Sequence, residues 1–276
     1  MRSLNGRFDE IVKLLRERKG SDLMWKESEA AVRDLLAADS LCQSGAMSDH
    51  QIVDSWWSEH DIELKLDRLN RDALFGLAAE CRTQADLDWV ELLWHVLAWG
   101  VMGDYRNATT IVRNAADQRD RSLLNDRLGA AAEYSYTGRI QEAYKTLNGK
   151  IPRLGRAFFS KFLYFTSDQS STQPRCLILD SRVESAIFTL TGLEFFKRDA
   201  LTYERFCNQV AQWSDHYGVD SEEIEFRLYQ FGRRTNSSRW RWLHAEVSLS
   251  REDRRDVDFD EILERVSLGR SDSAGE

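Results

Sequence analysis

The chain has 276 residues, enough for one large domain or two small ones sharing a core. Its 42% hydrophobic and 11% aromatic content excludes global disorder, and the presence of only two prolines, Pro152 and Pro174, argues against a turn-rich all-β fold. A net charge of -8 sets a condition on any nucleic-acid partner, because phosphate binding requires local clusters of Lys and Arg.

Helical periodicity runs through the chain. It predicts helices over Asp9–Arg18, Asp49–His60, Leu64–Cys81 and Ala85–Met102. In the last of these, Leu87, Val90, Leu93, Leu97 and Val101 form one stripe, which Trp89, Trp94 and Trp99 widen. Further helices are expected at Ala108–Asp117, Ser122–Tyr134, Arg139–Leu147, Gly155–Phe165, Ser181–Leu190, Ala200–Tyr217 and Ser221–Phe231. Asp220, with Glu223 three residues on, has the pattern of a cap for the last one. Short strands are expected near Cys176–Leu179 and Leu243–Leu249. Ser167–Arg175 reads as a loop and Arg270–Glu276 as a frayed tail. The expected class is all-α, as a single unit over 1–276. An N-terminal helical part (1–84) precedes a core (85–235), and a C-terminal extension (236–276) follows.

Cys42, Cys81, Cys176 and Cys207 form no CxxC pair, which gives neither a disulfide framework nor a metal-ligand set and suits a reducing cytoplasm. Met1–Gly20 is charged throughout, unlike a signal peptide, and no apolar run approaches the roughly 18 residues of a membrane span. A cytoplasmic protein without a membrane partner is expected. Basic residues are concentrated in two places. Arg139, Lys145, Lys150, Arg153, Arg156 and Lys161 face a single acid, Glu142, and Arg233, Arg234, Arg239 and Arg241 have none between them. Trp240 and Trp242 interleave the second cluster, which reads equally as a phosphate grip or as a solvated turn beside core tryptophans.

The most informative stretch is Lys150–Val183. Asn148 and Gly149 form a turn, and Ile151-Pro152-Arg153-Leu154-Gly155 leads into a helix. Gly155 lets a partner approach the backbone, and the free amides of a helix start can hold a phosphate, with Lys150, Arg153 and Arg156 adding charge. On a helical wheel, Leu154, Phe158, Phe162 and Phe165 share one side. Lys161 falls within about 40° of Leu154 and Phe165, and Arg156 and Ser160 lie on the polar side. A lysine at that edge is partly desolvated, which favours a neutral nucleophilic amine. The competing reading is a stem packed on the core with its ammonium reaching water. Asp180 follows four apolar residues and opens the next helix. It is either a helix cap, competing with Ser181 and Glu184, or a half-buried carboxylate that holds an ammonium, orients a water or stabilises a developing cation.

These elements resemble the helix-hairpin-helix DNA glycosylases, in particular the 8-oxoguanine-glycosylase-fold branch. That superfamily carries an L-P-G-V-G hairpin, a helix with a catalytic lysine in its bifunctional members, a loop and an apolar element ending in the catalytic Asp. Here the hairpin unit is 139–166, the acidic element lies in 176–190, and the resemblance covers roughly 85–235. In the best-known members the lysine follows the second hairpin glycine by two positions, where this chain has Ala157. Lys161 lies one turn later, and Arg153 replaces the first glycine. Met102–Val112 is similar to the segment that pushes side chains into the DNA stack, which would assign Asp104, Tyr105, Arg106 and Asn107 to the gap left by an extruded nucleotide; Asn107 reads equally as a helix cap.

The resemblance implies two helical subdomains flanking a cleft, and base flipping and excision from double-stranded DNA bearing a modified base. It implies Lys161 and Asp180 as catalytic residues, with Lys150, Arg153, Gly155, Arg156, Asp104, Tyr105, Arg106, Asn107, Arg233 and Arg234 on DNA. No metal or organic cofactor is called for. The implied base is 8-oxoguanine or, as bacterial members of this branch are associated with phage defence, a hypermodified phage base such as glucosylated hydroxymethylcytosine. The competing readings are a non-catalytic nucleic-acid-binding or defence-complex protein on the same fold, and a helical adaptor.

Overall fold

Short polar residues decide where the helices begin. The structure, a computed structural model, describes residues 51–83, 88–101, 108, 109, 111, 121–191, 195 and 197–235. Asn70 opens α1 (Arg71–Thr83) by accepting the Ala73 amide on Oδ1 at 2.7 Å. Asp88 opens α2 (Trp89–Val101) by accepting that of Glu91 at 2.8 Å. After α3 (Arg121–Tyr136), Gly138 turns the chain at φ 71° into α4 (Ile140–Leu147). The next helices are α5 (Arg156–Thr166) and α6 (Ser181–Thr191). Asp199 caps α7 (Ala200–Tyr217) through the Thr202 amide, and Gly218, at φ 64°, ends it before α8 (Ser221–Thr235).

The described residues are thus predominantly helical, as the periodicity predicts. Two expectations fail locally. The expected helix Asp49–His60 is replaced by strand β1 (Gln51–Ile52), paired antiparallel with β2 (Arg68–Leu69), and by a single 3-10 turn at Ser58–His60. The Asp54 carboxylate accepts the Trp56 amide, a local bond that competes with helix, and Asp61 turns left-handed. The helix expected from Leu64 starts only at the Asn70 cap. Cys176–Leu179 is extended but, among the described residues, pairs with no strand. The Leu179 amide donates to Ser160 Oγ and the Leu177 carbonyl accepts from Tyr203 Oη, so side chains replace a ladder. The expected elements at Asp9–Arg18 and Leu243–Leu249 lie outside the described residues, as does most of Ala108–Asp117.

The chain divides into two compact units, one holding residues 51–181 with 195–227, the other 182–191 with 228–235. In the first, α5 is central and packs against α1, α2, α3 and α4. Phe159, Phe162, Leu163, Tyr164 and Phe165 are all buried, with Tyr144 edge-on to Phe159 and Trp99 edge-on to Phe165. Because α5 is enclosed, its expected polar side is buried too: Arg156 and Ser160 are inside. Helix α2 is buried almost all round. His95 Nε2 accepts the Lys65 amide at 3.1 Å and Nδ1 faces the Glu91 carbonyl at 2.8 Å, which assigns the proton to Nδ1 and the ring to its neutral form. In the second unit, Arg182 donates to Tyr229 Oη at 2.7 Å, and a Cβ on Gly232 would lie 2.0 Å from the Arg182 carbonyl, so only glycine fits. Among the described residues no helix is long and apolar enough to cross a membrane.

Candidate functional site

The helix-hairpin-helix is formed by α4, the 148–155 turn and α5. Gly149 is left-handed at φ 68°, and the apolar hairpin residues Ile151 and Leu154 turn inward while Lys150, Pro152 and Arg153 face solvent. Arg153 also takes a left-handed backbone, φ 66°, a conformation that favours glycine. The resemblance places a glycine at this position, so the turn is retained here with an arginine in it. Gly155 is the N-cap of α5 with φ -76° and ψ 168°, a conformation open to any residue. A Cβ there would meet nothing within 4 Å, which leaves the first amides of α5 open on that side.

Arg156 does not belong with Lys150 and Arg153. Its guanidinium is buried and donates to the Phe195 carbonyl at 2.9 Å and the Lys197 carbonyl at 3.0 Å, holding Phe195 and Lys197 at the start of α5. Burial, above all, lowers its pKa. The expectation that it grips phosphate is corrected: the wheel shows its angle on α5 but not the carbonyls that arrive some forty residues later. Asp104, Tyr105, Arg106 and Asn107 lie outside the described residues, as do Arg239 and Arg241. Arg233 and Arg234 lie within α8, with no described side-chain position.

Lys161 and Asp180 are brought together. The Ser160 hydroxyl anchors the Leu179 amide at 3.1 Å, and the next residue on each side is a member of the pair. Lys161 Nζ lies 3.8 Å from Asp180 Oδ2, within ion-pair reach but too long for a hydrogen bond. The amine donates to the Ala157 carbonyl at 2.8 Å. Both side chains are nearly enclosed, 11% and 13% exposed, yet each keeps an opening. The stem is thus packed on the core, and the amine retains only a small share of solvent. The lysine stem is held by close packing: a Cβ on Gly100 would stand 3.1 Å from Lys161 Cδ, and Phe158 flanks the amine at 5.8 Å.

Sequence reasoning missed the charged cluster beside this pair. Arg71, buried in α1, donates to Tyr164 Oη at 2.7 Å, to Glu222 at 3.3 Å and through both terminal nitrogens to Glu225 Oε2 at 3.3 Å. Its guanidinium is enclosed by the rings of Trp99, Tyr164 and Phe226 at 5.1–5.7 Å. Tyr164 donates a short bond to Glu222, whose other oxygen lies 3.7 Å from Arg175 Nη2. Burial disfavours the Arg71 charge, but Glu225, Tyr164 and Glu222 outweigh it and raise its pKa. Glu225 is 1% exposed. Burial pushes its pKa up to about 7 against the pull of Arg71, Asp180 and Glu222 add to the rise, and Lys161 opposes it. A faint signal existed: on the α8 wheel, Glu225 falls inside the arc bounded by Ile224, Leu228 and Phe226. Nothing in the sequence pointed to Arg71 as its partner.

An amine and a carboxylate held together and nearly enclosed can attack an electrophilic carbon and stabilise positive charge developing on it. No curated protein and no solved structure matches the chain. The family model described as "Putative 8-oxoguanine DNA glycosylase OGG-like protein" matches residues 43–229, more than half of the 276. That span takes in the hairpin, Lys161, Asp180 and the Arg71–Glu225 cluster, and the chain belongs to this OGG-like DNA glycosylase family.

Proposed function

We propose that the protein excises a modified base from double-stranded DNA, with Lys161 and Asp180 as the reacting groups. The observation that carries this reading is the 3.8 Å approach of the Lys161 amine to the Asp180 carboxylate, both side chains almost, but not fully, closed to solvent. The target nucleotide is unstacked and extruded to bring its sugar to this pair. As the N-glycosidic bond breaks, its electron pair leaves with the base and positive charge develops on the sugar. The Asp180 carboxylate stabilises that charge. In the bifunctional route the neutral Lys161 amine bonds to the sugar C1′, the ring opens to a Schiff base, and β-elimination expels the 3′ phosphate. In the monofunctional route Asp180 directs a water to C1′ and an abasic site remains. The Lys161 bond to the Ala157 carbonyl orients the amine in either case.

Exposed Lys150 and Arg153, with the open first amides of α5 at Gly155, form the phosphate anchor. Asp104–Asn107, Arg233 and Arg234 stay in this reading as DNA contacts on the strength of their sequence alone. Family membership supports 8-oxoguanine as the base; a hypermodified phage base such as glucosylated hydroxymethylcytosine, met in anti-phage defence in the cytoplasm, is the other substrate to test.

The test is incubation with oxidised, phage-modified and unmodified duplexes, followed by mapping of released bases and strand breaks. Expected is release from one modified duplex, lost in Asp180→Asn. Borohydride trapping of a protein–DNA adduct that disappears in Lys161→Gln establishes the bifunctional route. Salt-sensitive binding to DNA with no base released from any duplex, and no change in Asp180→Asn, refutes the enzyme and leaves a non-catalytic DNA-binding protein.

A further inference from the structure

The site contains a third carboxylate for which the two-residue chemistry has no use. Glu225 is buried and gripped by both terminal nitrogens of Arg71, and it is close enough to Asp180 and Lys161 for their charges to act on it. The connection has a structural path. Tyr164 lies three residues after Lys161 on α5, hence on a neighbouring part of the same helix face, and its hydroxyl accepts from Arg71. Arg71 in turn carries Glu225. The groups that face Glu225 are Arg71 from α1, Tyr164 and Lys161 from α5, Asp180 from the extended run before α6, and Glu222 on its own helix; Arg175 enters through Glu222.

Among the described residues, with every group ionised, Arg71, Arg175 and Lys161 balance Glu222, Glu225 and Asp180, three cations against three carboxylates. A nucleophilic lysine must lose its proton, which leaves this enclosed group one negative charge in excess. Uncompensated charge in a low-dielectric interior is costly. Arg71 and Arg175 have no proton to move, and Asp180 must stay ionised for the chemistry proposed above. That leaves Glu222 and Glu225 among the described acids of this group. Glu225, 1% exposed against 19% for Glu222, is the one cut off from water.

We infer that Glu225 is a positioning residue that governs the charge state of the Lys161 amine, taking up a proton when Lys161 releases one. The balance is simple. Lys161 ammonium gives one proton to solvent and Glu225 carboxylate gains one from it, so the buried group stays neutral, and no direct transfer between the two is required. Arg71 holds Glu225 within range of the pair, and the burial that lifts the Glu225 carboxyl towards neutral pH makes it the group able to respond there. This inference deepens the Lys161–Asp180 reading, on which its catalytic consequence rests.

Two measurements test it. The first requires no activity. Melting temperature is followed from pH 5 to 9 in the wild type, Glu225→Gln, Lys161→Met and the double variant. Because the Glu225 carboxyl is raised in the folded state, wild-type stability falls relative to Glu225→Gln as pH rises from the unfolded value to about 7. In the Lys161→Met background the midpoint of that fall moves up by about half a pH unit or more, because the opposing cation is gone. An unchanged midpoint overturns the coupling. The second measurement is single-turnover borohydride trapping against pH. Glu225→Gln moves its alkaline rise to lower pH, by about half a unit or more, and Glu225→Asp restores the wild-type profile. A folded Glu225→Gln with an unshifted profile refutes the inference. A wild type that forms no adduct and releases no base removes the enzyme reading instead, and the melting experiment still decides the coupling. Should Glu225→Gln not fold, Arg71→Lys, which loses the two-nitrogen grip on Glu225, is measured in the same way, and an unaltered midpoint counts against the proposal.

Discussion

Gly100→Ala separates stability from chemistry in this fold. Gly100 is the penultimate residue of α2, and the methyl group would stand 3.1 Å from Lys161 Cδ, 3.5 Å from Cε and 3.5 Å from Phe158 Cδ1. The first distance is shorter than ordinary van der Waals contact, so the lysine stem must yield by a few tenths of an ångström, and Nζ, two bonds further on, moves more. Alanine in place of a helical glycine gains up to about 1 kcal/mol of helix propensity. Mild crowding of one flexible stem offsets much of that, so the melting temperature should change by no more than about 2–4 °C. Chemistry is less forgiving: displacement of a reacting atom by about 1 Å can cost on the order of 100-fold in rate, so a smaller shift predicts a loss of about 10-fold. The control is Gly76→Ala in α1, where an added Cβ meets nothing within 4 Å. That variant should gain stability and keep its rate. Thermal melting and single-turnover base release on all three proteins supply the comparison. If Gly100→Ala melts like the wild type and cleaves at the wild-type rate, the placement of Lys161 is irrelevant to the reaction and its assigned role is wrong. If it unfolds more than about 10 °C early, the stem is rigid and the packing argument is wrong.

Two further predictions concern the surroundings. Relief of the left-handed backbone makes Arg153→Gly more stable by up to about 1 kcal/mol, less the entropy that glycine restores to the unfolded chain, while loss of one phosphate contact lowers the slope of log affinity against log salt by about 1; denaturant melts and salt-titrated binding to duplex DNA check both. His95 is held neutral by burial, which lowers its pKa despite the Glu91 carbonyl. Its contribution is therefore complete above the unfolded value of about 6.5 and is lost as pH falls below it. The melting temperature of the wild type should exceed that of His95→Gln by a margin that narrows between pH 7.5 and 5.5, and a constant margin would contradict the neutral assignment.

What could be read from the sequence was local. The hairpin is specified within eight residues by Asn148, Gly149, Pro152 and the alternation of Ile151 and Leu154 with exposed neighbours. Helix spacing sets Lys161 at the edge of the apolar arc, but the enclosure of its amine came only with the structure. The side-chain tie between Ser160 and Leu179, which sets the amine beside Asp180, could not be read in this way. Neither could the bonds of Arg71, whose partners Tyr164, Glu222 and Glu225 lie about 90 to 150 residues away. Single-helix patterns failed for the same reason in the opposite direction at Arg156: an arginine at a helix start beside lysines looks like an anion grip, and only the arrival of the Phe195 and Lys197 carbonyls shows that it is occupied.

The same long-range pairing bears on the objection raised by a net charge of -8. A DNA-binding face is weakened by carboxylates only where their field reaches the phosphates unbalanced. Asp180, Glu222 and Glu225 lie against Lys161, Arg71 and Arg175, so this cluster projects little net charge outward. The hairpin then meets DNA with the exposed charges of Lys150 and Arg153. Neutralising an acid of this paired cluster by substitution should therefore leave the salt dependence of DNA binding nearly unchanged, whereas Lys150→Gln should reduce its slope by about 1. If Glu222→Gln and Lys150→Gln altered the slope equally, the paired carboxylates would be acting on the phosphates directly, and the separation between an internal charge balance and an external anion grip would fail.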